Sequence, residues 1–470
     1  MILIILAVAL ILRLITINQS LWLDEAINVN VARALDLKSL IFNYSLGDFH
    51  PPLFHVLLRG WILVFGSSEI SVRIPSVILG VATVYVTYLI GRRLFENKTA
   101  LIAATLLATA PLHIYYSQEA RMYMLAAFLI SLSVYFFISI LKKDNLWFWT
   151  GFIISTALML YSDYLPYLMI PIYLFYLIIF RKRIRHSTLR AFIPAFIIIF
   201  ITIIPWLVIF PKQFQTGLSA AAASPAWAQV VGSPSFKIFF ITFVKFTIGR
   251  ISNDNNLVYA LLFTPAGLFV AFLFLLSLFR ISKLRSFLWL WFFGPIIMAF
   301  ALSFFVPIFA YFRFIFILGA FYLIWASAIN TINWVPLVRS LLVLALAINL
   351  TSVSFYYLNP KFHRENWRAA TSFVHTNSTP KTIVLFESQY TVGPFDYYND
   401  NKVKAAGALD EQKLKLLTSD ADKIFLFQYL APITDPQGLV FQELTKEGFT
   451  NTKMEDFEGV GFIYVFEKRL

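Results

Sequence analysis

Four acids at three places along the sequence carry most of the chemistry that this chain could do. Asp24 and Glu25 follow Leu21-Trp22-Leu23, Glu119 opens Glu119-Ala120-Arg121-Met122-Tyr123, and Asp163 sits in Tyr161-Ser162-Asp163-Tyr164. Each falls at the end of an apolar run. A carboxylate there is costly unless it is paired, hydrated or used. Carboxylates converging from separate runs on one membrane surface suggest a site. The plainer alternative is a set of Arg–carboxylate ties, such as Glu119 with Arg121. His50-Pro51-Pro52-Leu53 is a second cue, because two prolines fix an extended entry into the segment that follows. His50 would then face the same outer cavity, although a lone His is usually structural.

These residues are set in an apolar chain. Of 470 residues, 59% are hydrophobic and 13% charged, with a mean hydropathy of +0.74. Soluble domains run near 45–50% apolar and about 25% charged, so a soluble enzyme, a disordered chain and a fibrous repeat are excluded. The absence of Cys excludes disulfides, thiolate metal sites and a Cys nucleophile. The net charge of +13 is unevenly spread. Up to Leu358 there are 25 Lys and Arg against ten acids; from Asn359 onward there are 13 against 15. The basic residues sit in short clusters between apolar runs, which is a topology signal and no sign of a nucleic-acid partner.

About eleven apolar runs are long enough to be read as spans. They are Ile2–Ile17, Val72–Gly91, Thr99–Tyr116, Met122–Leu141, Leu146–Tyr161, Leu165–Phe180, Ala191–Phe210, Leu257–Phe279, Ser286–Phe305, Phe312–Asn330 and Val335–Tyr357. The first has no basic leader and no small-residue cleavage site, so it reads as an uncleaved span; Arg13 is its one charge. The amphipathic stretch Leu53–Phe65, within the mixed segment 18–71, is expected to lie in the interface. Alternate connections hold Arg92, Arg93, Lys98, Lys142, Lys143, Arg181, Lys182, Arg183, Arg185, Arg190, Arg280, Lys283, Arg285 and Arg339. By the positive-inside rule these are cytoplasmic, which places the N-terminus inside and the tail outside. The opposite side receives eight of the first ten acids and a long loop, Pro211–Asn256, in which Ala220–Ala223 is expected to be flexible.

The tail, 359–470, is expected to be a small α/β domain that follows a membrane domain of 1–358. Strands are expected at Lys381–Glu387, Lys423–Gln428 and Gly461–Phe466, and helices at Glu365–His375, Glu411–Leu417 and Leu439–Lys446. The cluster Asp396-Tyr397-Tyr398-Asn399-Asp400 could bind sugar but reads more readily as a loop.

In combination, these features become specific. A short first span, Asp24-Glu25, His50-Pro51-Pro52-Leu53, Arg73 opening the next span and Glu119-Ala120-Arg121-Met122-Tyr123 follow in order. The pattern resembles the polyprenyl-phosphate-sugar glycosyltransferases of the GT-C type, the superfamily of protein O-mannosyltransferases and aminoarabinose (lipid A) transferases. The resemblance covers about residues 1–330 in layout; its specific motifs lie in the first 125. It implies an α-helical polytopic membrane enzyme of the cell envelope with a small C-terminal α/β domain on the outer face. It implies a polyprenyl-phosphate-linked sugar as donor and an extracytoplasmic protein, lipid or glycan as acceptor.

Residue by residue, Asp24 matches the family's acid in the first outer loop, similar to a catalytic base, and Glu25 is its neighbour. His50 falls where relatives carry His or Lys near the donor phosphate. Glu119 matches the second acid, with Arg121 and Tyr123 in the same motif. Asp163 stands where relatives often have His, and Arg313, in Tyr311-Phe312-Arg313-Phe314, resembles an Arg-Tyr pair with Phe in place of Tyr. Asn366-Trp367-Arg368 resembles an Asp-Trp-Arg element. Phosphate needs cations, preferably bidentate Arg, and Arg313, Arg121, His50 and Arg250 are candidates. Asp24 and Glu119 could hold a hard divalent cation, and relatives differ on this point. Two other readings stay open: a membrane transporter, and a non-enzymatic protein that binds or assembles lipid-linked glycans. A transporter would more typically place its charges mid-span, among paired repeats.

Overall fold

The computed structural model describes residues 1–223, 232, 234–278, 283–408 and 410–468. Among them, seven helices are long and apolar enough to cross a membrane: Glu69–Leu94, Tyr123–Lys142, His186–Leu207, Asn256–Ser277, Arg285–Leu302, Tyr311–Asn330 and Val335–Leu358. An eighth candidate is a pair, Asn97–Ala108 and Pro111–Ser117, bent by 60° at the break. The other three expected spans are shorter apolar helices, Ile2–Leu14, Leu146–Leu160 and Leu165–Ile179. The chain is an α-helical polytopic membrane protein that ends in a small α/β domain. Arg280, expected in one of the basic connections, lies outside the described residues.

The segment read as one straight span, Thr99–Tyr116, is broken at Thr109 and Ala110, and Pro111 starts the second piece at its first turn, where a missing N–H costs nothing. The long outer loop holds helices Phe210–Ala223 and Phe236–Ile248. Ala220–Ala223 therefore ends a helix, in keeping with the high helix propensity of alanine.

Helix Ile2–Leu14 shows how the bundle is built. Its buried residues, Ile5, Ala9 and Arg13, recur every four positions and form one inward stripe. Helix Glu69–Leu94 is capped by Ser68, which accepts from Ser71 N, and carries Glu69 in its first turn and Arg92 and Arg93 in its last, matching the helix dipole at both ends. Its buried face includes Arg73, Ser76, Gly80, Thr83, Thr87 and Gly91; small residues let neighbouring backbones come close. A Cβ at Gly80 would collide with Ser117 Oγ and crowd Arg13.

Arg13 pins the bend. Its guanidinium donates to Ala9 O at 2.8 Å, Ala108 O at 3.0 Å and Ser117 Oγ at 3.1 Å, and lies 2.7 Å from His113 Nδ1. Asn349 joins from the last long helix, donating to Leu106 O and Thr109 Oγ1, each at 3.0 Å. The carbonyls freed by the break are thus met from inside the protein, as hydrocarbon surroundings demand.

The C-terminal domain is a five-stranded sheet of β1 (Thr382–Phe386), β2 (Lys404–Gly407), β3 (Lys423–Phe427), β4 (Phe449–Phe457) and β5 (Gly461–Lys468), in order β2-β1-β3-β5-β4. β1 runs parallel to β2 and β3, while β5 is antiparallel to β3 and β4. Helices cover both faces. Trp367–Asn377 and Gly393–Asn399 lie on one, with Leu23 of the membrane part inserted into the same apolar cluster. Glu411–Thr418 and Leu439–Lys446 lie on the other. Asp396–Asn399 is helical, which corrects the loop reading. Tyr398 Oη accepts from Leu21 N at 2.8 Å, Tyr397 Oη donates to Ser67 O at 2.7 Å, and Asn30 Nδ2 donates to Gly393 O at 2.9 Å. This cluster seats the domain on helix Leu23–Ala34.

Candidate active site

The end of the first helix leads through Asn18–Trp22 into helix Leu23–Ala34, whose first turn carries Asp24 and Glu25. The second half of the bent pair ends at Ser117, and Gln118–Met122 then forms the turn that carries Glu119 and Arg121. Gln118 ties the two segments together: its Nε2 donates to Arg13 O at 3.0 Å, and its Oε1 accepts from Tyr356 Oη at 2.9 Å.

Three carboxylate–guanidinium pairs result, and they interlock. Arg121 Nη1 meets Asp24 Oδ2 at 2.5 Å. Arg73 grips Glu25 with a two-pronged fork, Nε to Oε1 at 2.8 Å and Nη2 to Oε2 at 2.5 Å, and spends its remaining donors on the carbonyls of Ile17, Gln19 and Ser20. Arg364, from the segment after the last long helix, reaches Glu119 Oε2 at 3.1 Å and lies 3.9 Å from Glu25 Oε2. Ala120 N donates to Glu25 Oε1 at 2.8 Å, joining the first acidic turn to the second. The alternative of Arg–carboxylate ties is met with other partners than Glu119 with Arg121: Arg121 serves Asp24, and Glu119 is served by a cation far along the chain.

The three acids differ in access. The Asp24 side chain is 28% exposed, whereas Glu25 and Glu119 are 0% exposed. Burial pushes the Glu25 carboxyl up, but Arg73, Arg364 and the Ala120 amide outweigh it and hold Glu25 below the usual carboxylate range. Burial also raises Glu119. Arg364 offsets this only in part, and the neighbouring Glu25 charge adds to it, so Glu119 titrates above the usual range.

The remaining predicted residues divide into two groups. Arg121 and Tyr123 are part of the cluster: the Arg121 guanidinium is 5.5 Å from the Tyr123 ring centre and 6.0 Å from that of Trp22. Arg313 lies in the tighter helical stretch Tyr311–Ile317 that opens helix Tyr311–Asn330, and its neighbour Phe312 packs on Tyr123 with ring centres 5.9 Å apart. The Arg313 side chain is half-buried, with no ion-pair or hydrogen-bond partner among the described residues. Arg250 stacks on Tyr115 at 4.7 Å and donates to its hydroxyl at 2.6 Å.

His50 and Asp163 stand apart from these pairs. His50 Nδ1 is 3.4 Å from Asp48 Oδ1, and Asp163 Oδ1 accepts from the amide of Tyr164 at 2.6 Å. Asp48 also faces His55 at 4.0 Å, and His55 Nε2 lies 3.0 Å from Asn28 Oδ1.

Several members were not foreseen. Arg364 partners Glu119, and Asp48 lies beside His50. Lys245 stands over Tyr311 at 5.7 Å, two residues before Arg313. Glu365 accepts from Trp367 Nε1 and Tyr429 Oη, each at 2.7 Å. Burial and the nearby Asp24 push Glu365 up to about 7 despite those bonds. The signal for Arg364 and Glu365 was the dense charge of His363-Arg364-Glu365 just past the last apolar run. A divalent cation at Asp24 and Glu119 does not fit this arrangement. Each carboxylate closes on its own guanidinium, and among the described residues no group of three or more His, Asp or Glu could hold a metal.

Residues 49–209 match the family described as Dolichyl-phosphate-mannose-protein mannosyltransferase. ArnT from Cupriavidus metallidurans superposes on nearly all of the chain. Its apo structure has a TM-score of 0.62 at 12% identity and covers 99% of this chain and 97% of its own. The chain has the GT-C glycosyltransferase fold. ArnT bound to undecaprenyl phosphate matches with a TM-score of 0.59 at 12% identity over 99% of this chain and 97% of its own. The oligosaccharyltransferase AglB from Archaeoglobus fulgidus, in complex with an inhibitory peptide and a dolichol-phosphate, matches with a TM-score of 0.57 at 12% identity, covering 98% of this chain and 74% of its own. An uncharacterized protein of Aquifex aeolicus strain VF5 is 27% identical over 145 residues, which is 30% of this chain and 29% of that one.

Proposed function

We propose that this GT-C chain is an integral-membrane inverting glycosyltransferase that moves a sugar from a polyprenyl-phosphate donor to an extracytoplasmic acceptor. The observation that carries the reading is Asp24: it is the one carboxylate of the three pairs that reaches the surface, and it is held by Arg121 beside two fully buried glutamates. The lipid phosphates bound to ArnT and AglB support the donor class, as does the match to a mannosyltransferase family.

Asp24 acts as general base. It takes the proton of the acceptor hydroxyl as that oxygen attacks the anomeric carbon. The bond from this carbon to the phosphate oxygen breaks, and polyprenyl phosphate leaves with the electron pair. One displacement from the face opposite the phosphate inverts the anomeric centre. Arg121 orients Asp24, and the two buried pairs keep both turns in place. Arg313, with no bonded partner of its own among the described residues, meets the departing phosphate, and Arg250 is the second candidate. A guanidinium suits a phosphate because its donors form a planar fork. The bulky apolar bundle, with 50 Phe in the chain, provides the groove for the polyprenyl tail. Its outer face is extracytoplasmic, with the basic connections on the other side.

The purified protein, reconstituted with a panel of radiolabelled polyprenyl-phosphate sugars and cell-envelope acceptors, should transfer label and release polyprenyl phosphate. The product should have inverted anomeric configuration. A retained configuration, or movement of solutes into vesicles without transfer, would contradict the proposal.

A further inference from the structure

Glu25 and Glu119 bring two carboxylates into one buried region. Glu25 is saturated by the Arg73 fork and the Ala120 amide. Glu119 has far less. Its Oε2 meets Arg364 at 3.1 Å, while its Oε1 is buried without a hydrogen-bond partner. Two carboxylates facing one guanidinium would not both stay ionised, because like charges in a low dielectric push a proton onto one of them. Arg364 brings the count to two against two.

Arg364 also holds the backbone that carries Glu119. Its Nη2 donates to Tyr115 O at 3.3 Å and Gln118 O at 3.0 Å, so it binds two carbonyls at the end of helix Pro111–Ser117. Its guanidinium lies 4.5 Å from the centre of the Tyr115 ring, with Arg250 stacked on the same ring at 4.7 Å. Its own amide donates to Gln19 Oε1 at 2.8 Å. One residue therefore joins the first outer turn, the Glu119 turn and the entry to the C-terminal domain.

We propose that Arg364 is a positioning residue of the transfer reaction: it neutralises Glu119 and fixes the Gln118–Arg121 turn, through which Arg121 sets Asp24. The C-terminal domain is then an integral part of the catalytic centre, since the residue that completes the centre comes from its first segment. This rests on the glycosyltransferase reading given above.

The test uses the full-length reconstituted protein with R364Q, R364K, E119Q and the double variant R364Q/E119Q. R364Q should lower kcat by about tenfold or more, leave the donor KM nearly unchanged and shift the acidic limb of the pH–rate profile upward by about one unit. R364K should restore part of the rate. In the E119Q background, adding R364Q should cost little further. Equal loss at every pH with additive effects would overturn the proposal, and so would a rise in donor KM at constant kcat, because Arg364 would then bind donor directly. A thermal-stability cycle over the same four proteins is read without activity. Coupling between positions 119 and 364 is expected, and its absence overturns the pairing. Failure of wild-type transfer with coupling intact would strike the glycosyltransferase reading and leave the Arg364–Glu119 pairing standing.

Discussion

At the scale of single residues, neighbours in sequence have different tasks. Asp24 and Glu25 are adjacent, yet one reaches the surface and the other is sealed against Arg73. Glu25→Gln breaks a buried ion pair and leaves Arg73 without its charge partner, a change that typically costs about 3–5 kcal/mol. It should lower the thermal midpoint markedly, with a parallel loss of transfer. Because the native carboxyl of Glu25 titrates below its ordinary 4.5, the stability from this pair is fully present above about pH 4.5 and is lost as pH falls through the native value. Glu387, buried at the end of β1 with Gln428 Nε2 donating to it at 2.9 Å, has the opposite sign. Burial pushes it up to about 8, so its contribution is present below about 4.5 and is lost as pH rises through about 8. Thermal midpoints measured from pH 5 to pH 9 should fall for the wild type and fall less for Glu387→Gln. Residue types and spacing made Asp24, Glu25, Glu119 and Arg121 legible as a group. Their pairing was not legible, because a partner such as Arg364 is set by folding and stands 245 positions from Glu119.

At the scale of elements, the decisive feature is the break between Asn97–Ala108 and Pro111–Ser117. It aims the Glu119 turn at helix Leu23–Ala34, and Arg13 holds it from the first helix. Arg13→Met would leave Ala108 O short of its buried donor, at about 1–3 kcal/mol for the unsatisfied group. A lower thermal midpoint and a parallel loss of transfer are expected. An unchanged midpoint would mean that the bend holds without Arg13. Hydropathy alone located the apolar helices, since lipid imposes long apolar runs. The bend was hidden because both halves are apolar, and Ala110-Pro111 was its one trace. β4 was hidden for the opposite reason. Most of this edge strand, Lys453 and Asp456 among it, is exposed, so no apolar alternation marks it. The four residues of β2 were too few to form a pattern.

At the scale of the whole molecule, the C-terminal domain docks beside the turns that carry the acids, through Leu23, Tyr398 and the Arg368–Glu69 pair at 2.7 Å; the positive-inside rule sets the basic connections on the opposite side as an expectation. The chain has no Cys, so single cysteines can report topology directly. In intact cells a membrane-impermeant maleimide should label Glu411→Cys and spare Lys182→Cys until the membrane is opened; the reverse pattern would invert the orientation. The transfer reaction depends on Asp24. Transfer from a polyprenyl-phosphate sugar should be compared for purified wild type and Asp24→Asn in the same vesicles. Loss of about 10²–10⁴-fold in rate, as expected on removing a general base, with an unchanged thermal midpoint, is the predicted result. An Asp24→Asn protein that transfers sugar as fast as wild type would contradict it.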